Sequence, residues 1–182
     1  MELLSNLQKK EAKVTFDAGH LQVIDINGYQ AIQENDMVVC IPYLVERNEI
    51  LLRYENIPTF ELVNPAIDKY ITVMSTVIDK HESPEDALNR GLLNEYGLKL
   101  RDFSPEIVAP IFLNKGNTSR YYICILPLMD HNYEQVEPTE VKKLEMSNNN
   151  ISINILNIKN LIIYDLISRY TLDLFKQHYS LF

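Results

Sequence analysis

Glu82-Ser83-Pro84-Glu85-Asp86-Ala87-Leu88-Asn89-Arg90-Gly91-Leu92-Leu93-Asn94-Glu95-Tyr96-Gly97-Leu98 is the stretch on which the reading of this chain turns. Ser83 suits an N-cap, Pro84 suits the first helical position, and Asp86 sits three residues past the cap in a capping-box-like arrangement. Gly97 suits the position just beyond the last turn, where the left-handed conformation is favoured. The spacing predicts a helix over Pro84 to Tyr96. On such a helix residues three and four apart share a face, so positions 91, 94 and 95 point the same way.

The flanking sequence is rich in strand signals. Asp36 to Val45 and Glu49 to Glu55 read as buried strands joined at Glu46-Arg47-Asn48, and Tyr70 to Ile78 is another β-branched run. Upstream, Met1 to Lys13 is expected as a short amphipathic helix or arm. Lys13 to Gln33 is expected as a hairpin turning at Asn27-Gly28, two residues that tolerate positive φ. Asn64-Pro65 signals a loop. Downstream, Ile107 to Leu113 and Arg120 to Leu128 read as a hairpin, Val141 to Met146 as a strand, and Asn148 to Asn150 as a turn. Ile158 to His178 reads as one helix with Ile163, Leu166, Ile167, Tyr170 and Leu174 on its apolar face. Strands first, then helix, strands and helix predict an α+β sandwich. Residues 1–35 form an arm and hairpin, and residues 36–182 the main domain.

Bulk properties narrow the field. A chain of 182 residues with 46% hydrophobic residues can bury a sizeable core. The net charge of -8 and short basic clusters, Lys9-Lys10-Lys13 and Lys142-Lys143, argue against nucleic-acid binding. The N-terminus has no basic region ahead of its apolar residues, so a signal peptide is not expected, and no apolar run approaches membrane-spanning length. Cys40 and Cys124 lie in strand-like runs and read as reduced core residues of a cytoplasmic protein. The four histidines show no metal-type spacing.

The Glu82–Leu98 stretch resembles the signature box of the Nudix hydrolases: Gly, five residues, Glu, seven residues, then Arg-Glu-apolar-any-Glu-Glu-any-Gly-apolar. Glu82, Arg90, Leu92, Glu95, Gly97 and Leu98 match. Thr76 stands at the opening Gly, and Gly91 and Asn94 stand at two of the three helical glutamates. The resemblance implies an α+β fold, a Nudix-type α/β/α sandwich with a mixed β-sheet and an N-terminal β-hairpin. An unremarkable capped surface helix is the alternative reading of the same residues.

The resemblance also implies roles. Glu82 and Arg90 would brace the loop against the helix as an ion pair. Glu95 would be the surviving metal ligand, and Mg2+ would be the cofactor of an active member. Magnesium takes oxygen ligands, usually one or two carboxylates plus substrate phosphates, and one carboxylate is a weak holder. Gly91 costs its helix about 1 kcal/mol relative to Ala. Either demand on the site is relaxed there, or another element packs closely against it.

The chain looks closest to the ADP-ribose pyrophosphatase branch, over roughly Asp36 to His178. Leu51 to Asn56 resembles the strand that places Arg53 and Tyr54 near a nucleoside, although a surface or interface ion pair is the plainer role for Arg53. Pro110 to Ser119 resembles a loop near the terminal sugar. Glu134, Glu137 and Glu140 lie where the branch carries a loop acid that can serve as general base, and solvated surface acids are the plainer reading. The N-terminal hairpin resembles a segment that mediates dimers.

The expectation is a Nudix-fold protein that has lost hydrolase activity and serves as a structural or binding component of an assembly. That assembly would be a homo-oligomer or a larger complex, cytoplasmic or virion-associated. The alternatives are a weak Mg2+-dependent hydrolase of compounds such as ADP-ribose, and a nucleotide-sugar sensor that binds without cleaving.

Overall fold

Strand β4 (Met37–Leu44) is the hub of the fold, because its side chains alternate between two buried faces. The computed structural model describes residues 12–18, 21–26, 28–56, 69–101, 105, 107, 110–112, 116–137 and 149–181. Val38, Cys40 and Leu44 point into one core layer, and Val39, Ile41 and Tyr43 into the other. A strand buried on both sides needs a near-continuous apolar sequence, and Met-Val-Val-Cys-Ile-Pro-Tyr-Leu supplies one. Strand β9 (Tyr121–Leu128) runs parallel to β4 along its whole length, from Met37↔Tyr121 to Leu44↔Leu128. On the other side, β7 (Met74–Val77) pairs antiparallel with the start of β4, and β5 (Glu49–Glu55) pairs with its end. Strand β6 (Tyr70–Thr72) pairs with β5, whose outer edge carries β11 (Asn150–Asn154). The result is a mixed six-stranded sheet.

Among the described residues two α-helices cover it. Helix α1 spans Pro84–Tyr96, as its caps predict. Ser83 Oγ accepts from the Asp86 backbone N–H, and Gly97 closes the helix at φ 67°. Ala87, Leu88, Leu92 and Tyr96 are buried against the sheet; each fully buried leucine contributes roughly 1.5–3 kcal/mol. Helix α2 spans Leu166–His178 on the opposite face.

The long C-terminal helix expected from Ile158 is divided. A 3-10 helix, Ile155–Asn160, and an extended segment precede α2, which starts at the Asp165 N-cap. The apolar face also differs: Ser168, Thr171, Leu172 and Phe175 are buried, while Leu166 and Tyr170 are exposed. The small hydroxyl residues let α2 approach the sheet, and Thr171 Oγ1 satisfies itself on the Ile167 carbonyl at 2.7 Å.

Other differences are local. The Tyr70 to Ile78 run is broken at Val73, whose N–H donates to Ser168 Oγ on α2 at 3.2 Å. The expected N-terminal hairpin is a three-stranded antiparallel sheet: β1 (Ala12–Asp17), β2 (Leu21–Ile26) and β3 (Tyr29–Glu34). Gly28, at φ 83°, turns β2 into β3. In the expected Ile107–Leu128 hairpin β9 is the one strand among the described residues, and Ile107 and Ile111 make single bridges to Cys124 and Tyr121. Asn150 opens β11 instead of lying in a turn. Two short strands, β8 (Leu98–Leu100) and β10 (Tyr133–Gln135), pair antiparallel below α1. The arm at residues 1–11, the Asn64-Pro65 loop and the Val141 to Met146 strand lie outside the described residues. Among the described residues no helix is long and apolar enough to cross a membrane.

Candidate functional site

Helix α1 carries two separate ion-pair systems, one at each end of the 82–98 stretch. At the first, Arg90 Nε donates to Glu82 Oε1 and Nη2 to Oε2, both at 2.8 Å. This two-pronged geometry matches a planar guanidinium to a carboxylate. The Asp79 N–H also donates to Glu82 Oε2, and Arg90 Nη2 reaches the Val77 carbonyl at 2.6 Å. The Arg90 hydrogen bonds lower the Glu82 carboxyl from its ordinary value to about 2. These contacts tie the end of β7 and the loop after it to the helix, so the pair braces the two elements.

At the second, Glu95 Oε2 lies 2.6 Å from Arg53 Nη1 on β5. Arg53 also faces Glu55, at 3.7 Å from Nε to Oε1. The Arg53 position is set by sheet register: its neighbours are Thr72 on β6 and Asn150 on β11. Asn150 Nδ2 donates to the Glu95 carbonyl at 2.6 Å and so fixes α1 above that row. Burial raises the Glu95 carboxyl, and Arg53 counters it only in part. Burial likewise raises Glu55, with Asp165 adding to the effect. Arg53 Nε, Glu95 Oε2, Thr72 Oγ1, the Tyr96 hydroxyl and Asn150 Oδ1 are all buried here without hydrogen-bond partners among the described residues, so Arg53 and Glu95 meet as a close ion pair and not as an aligned hydrogen bond.

Position 91 is occupied by packing. A Cβ at Gly91 would lie 3.0 Å from Thr76 Cγ2, 3.2 Å from Thr76 Cβ and 3.3 Å from Met74 Cε. Of the two readings open for Gly91, close packing is the one present. Thr76, standing where the resembled box has its Gly, fills the volume that a side chain at 91 would need. Between strand β7 and helix α1 the strand residue is the larger and the helix residue the smaller.

These facts answer whether the residues present suit a divalent cation. Glu95 is the one carboxylate among positions 91, 94 and 95, and an arginine holds it. Among the described residues no group of three His, Cys, Asp or Glu side chains is placed to hold a metal. The residues of this face do not fit Mg2+.

The remaining candidates are scattered. Glu134 lies on β10 and pairs with Arg101 at 2.8 Å and Lys99 at 3.5 Å, so strand pairing occupies it. Glu137 is exposed beyond the end of β10, and Glu140 lies outside the described residues. Tyr121 is buried in the α2-side core, and Tyr122 packs against the α1 side. The sequence did not single out Glu55, Thr72 or Asn150. Alternation along Glu49–Glu55 could have put Glu55 beside Arg53, but strand pairing alone brings the other two there.

No protein-family model matches the chain. No curated protein matches it in sequence. Among solved structures it resembles a crystal structure of an ADP compounds hydrolase, with a TM-score of 0.63 at 14% identity. That match covers 92% of this chain and 90% of the other. A likeness at that identity speaks for architecture alone, and the architecture is an α+β sandwich of the Nudix type.

Proposed function

We propose that this chain is a Nudix-fold protein without hydrolase activity, serving as a structural or binding component of an assembly. The observation that carries this reading is the Arg53–Glu95 ion pair at 2.6 Å. A guanidinium from the sheet neutralises the one acid that the helical face retains. Magnesium would have to displace it, leaving Arg53 without its closest anionic partner. The close approach of Thr76 and Met74 to Gly91 supports the same reading, because a side chain at position 91 would have to push these neighbours aside. Around Arg53 the carboxylates of Glu55 and Glu95 outnumber the cation among the described residues, a field that disfavours an approaching diphosphate. This weighs against a nucleotide-sugar sensor.

The direct test is incubation with ADP-ribose and Mg2+, following AMP release. No turnover is expected. Steady turnover that disappears in Glu95→Gln would establish the weak-hydrolase alternative instead. Calorimetric titration with ADP-ribose addresses the sensor, and the expected outcome is no heat of binding. A gain-of-function series probes the packing argument. Gly91→Glu with Asn94→Glu should disrupt α1 packing, whereas adding Thr76→Gly should let the helix accept both acids and bind Mg2+ measurably. Equal Mg2+ binding with and without Thr76→Gly would contradict the close packing of Thr76 on Gly91.

A further inference from the structure

The α2 side of the molecule carries a ridge of exposed apolar side chains, one of which, Tyr164, also meets the buried Tyr70 edge-on at 5.6 Å. Between residues 156 and 170 five large side chains face solvent: Leu156 (71% exposed), Ile162 (67%), Tyr164 (54%), Leu166 (66%) and Tyr170 (42%). Ile162 and Tyr164 alternate about the buried Ile163, so they share the outer side of an extended segment. Leu166 and Tyr170 are one turn apart on α2 and continue that surface onto the helix. Solvent-facing Leu, Ile and Tyr side chains so close together along the chain mark an interaction surface, unlike apolar residues scattered singly.

We propose that this ridge pairs with the same ridge of a second copy of the chain. The proposal rests on the assembly reading above and names its surface and partner. Two observations select a second copy. The first is size: the ridge offers on the order of 500 Å² per copy, so two copies bury ~1,000 Å², the lower end of specific interfaces. The second is charge. Arg169 and Asp173 are both exposed on α2, one turn apart and flanking Tyr170, and Asp173, which lies 3.6 Å from Lys176 Nζ of its own helix, keeps its outer side free for a second cation. A two-fold axis crossing antiparallel helices near Tyr170 sets each Arg169 against Asp173 of the partner subunit. An interface between identical patches must be self-complementary, and this stripe carries both signs in the order that symmetry requires.

Sedimentation velocity across a range of protein concentrations tests the proposal. The expected species has twice the 21.2 kDa mass of the chain. Leu166→Glu with Tyr170→Glu should yield monomer with an unchanged circular dichroism spectrum, because both side chains are exposed. Arg169→Glu should weaken association at least tenfold, and adding Asp173→Arg should restore it by reversing the pair. Phe16→Glu with Ile32→Glu, on the N-terminal sheet, should leave the dimer intact. A dimer dispersed by the N-terminal pair but not by the α2 pair overturns the ridge and leaves the assembly reading standing. A wild-type chain that stays monomeric at every concentration overturns the ridge and removes self-assembly from that reading.

Discussion

Two carboxylates, Glu82 just ahead of helix α1 and Glu95 in its last turn, behave in opposite ways, and the cause is what surrounds each. Glu82 is held by Arg90 and a backbone N–H, which favour its charged form and bring its pKa down to about 2. Its folded pKa is therefore below its ordinary value. The stability it contributes is present above about pH 4.5 and is lost progressively as pH falls towards 2. Glu82→Gln should cost roughly 1–3 kcal/mol at neutral pH, as for a charged hydrogen-bonded pair. It should also flatten the acid limb of stability, read by urea unfolding at pH 7 and pH 3. Glu95 has the opposite sign. Its carboxyl is raised by burial, so its ionisation opposes folding as pH rises through the folded pKa. Arg53→Ala should deepen that penalty by stranding a mostly buried charge, at a cost of about 2–4 kcal/mol in neutral solution. Arg53→Leu with Glu95→Leu should recover most of the loss, because removing both partners avoids an unpaired charge. A double variant as unstable as the single would show that the pair does more than balance charge.

Helix α1 was readable from its ends, because capping is local chemistry. Ser83, Pro84 and Gly97 announce both boundaries, and the helix lies between them as expected. What Gly91 touches was not readable, because Thr76 lies on another element. Gly91→Ala should destabilise by about 1–3 kcal/mol through overpacking, despite a more favourable helix propensity. The Thr76 Cβ, 3.2 Å from the new methyl, is fixed to a strand and cannot rotate away. Thr76→Ala with Gly91→Ala should regain part of the loss in thermal melts; no recovery would indict the Met74 contact instead. Helix α2 shows the reverse case. Periodicity placed Ile163, Leu166, Ile167, Tyr170 and Leu174 on the buried side; Ile163 is buried and Ile167 and Leu174 pack at the core edge, but Leu166 and Tyr170 face outward while Ser168 and Thr171 are buried beside Leu172 and Phe175. Hydropathy misleads there because close approach of helix to strand favours small hydroxyl residues. Ser168→Ala should cost about 1–3 kcal/mol, since the Val73 N–H at the break between β6 and β7 would lose its partner.

At the scale of the molecule, the sheet divides the core into two layers, and the candidate site lies where β5, β6 and β11 meet the C-terminal end of α1. The parallel pairing of β4 with β9 buries both strands on both faces, so the core does not depend on the ion pairs. This is why the chemistry of the helix can change while the architecture persists. The N-terminal sheet is joined to the rest by Ile32, whose N–H donates to the Gly116 carbonyl and whose carbonyl accepts from the Thr118 N–H, and by Ser119 Oγ, which accepts from the Glu34 N–H at 2.8 Å and donates to the Glu34 carbonyl at 3.0 Å. Ser119→Ala would leave the Glu34 N–H without that acceptor. We expect faster hydrogen exchange in β3 with little change in the β4 core, measured by mass spectrometry. Equal change in both would mean that the two sheets open together.

The sequence alone determined the capped helix, the buried strands β4 and β5, and the absence of two helical carboxylates. These rest on local propensity, period and residue identity, which need no partner to be known. Only tertiary structure decided that Arg53 would reach Glu95, that Thr76 would take the space above Gly91, and that Leu166 and Tyr170 would face outward. Each depends on which distant strand or helix lies opposite, and strand register and helix rotation are settled by packing across the whole core rather than by neighbours in the chain.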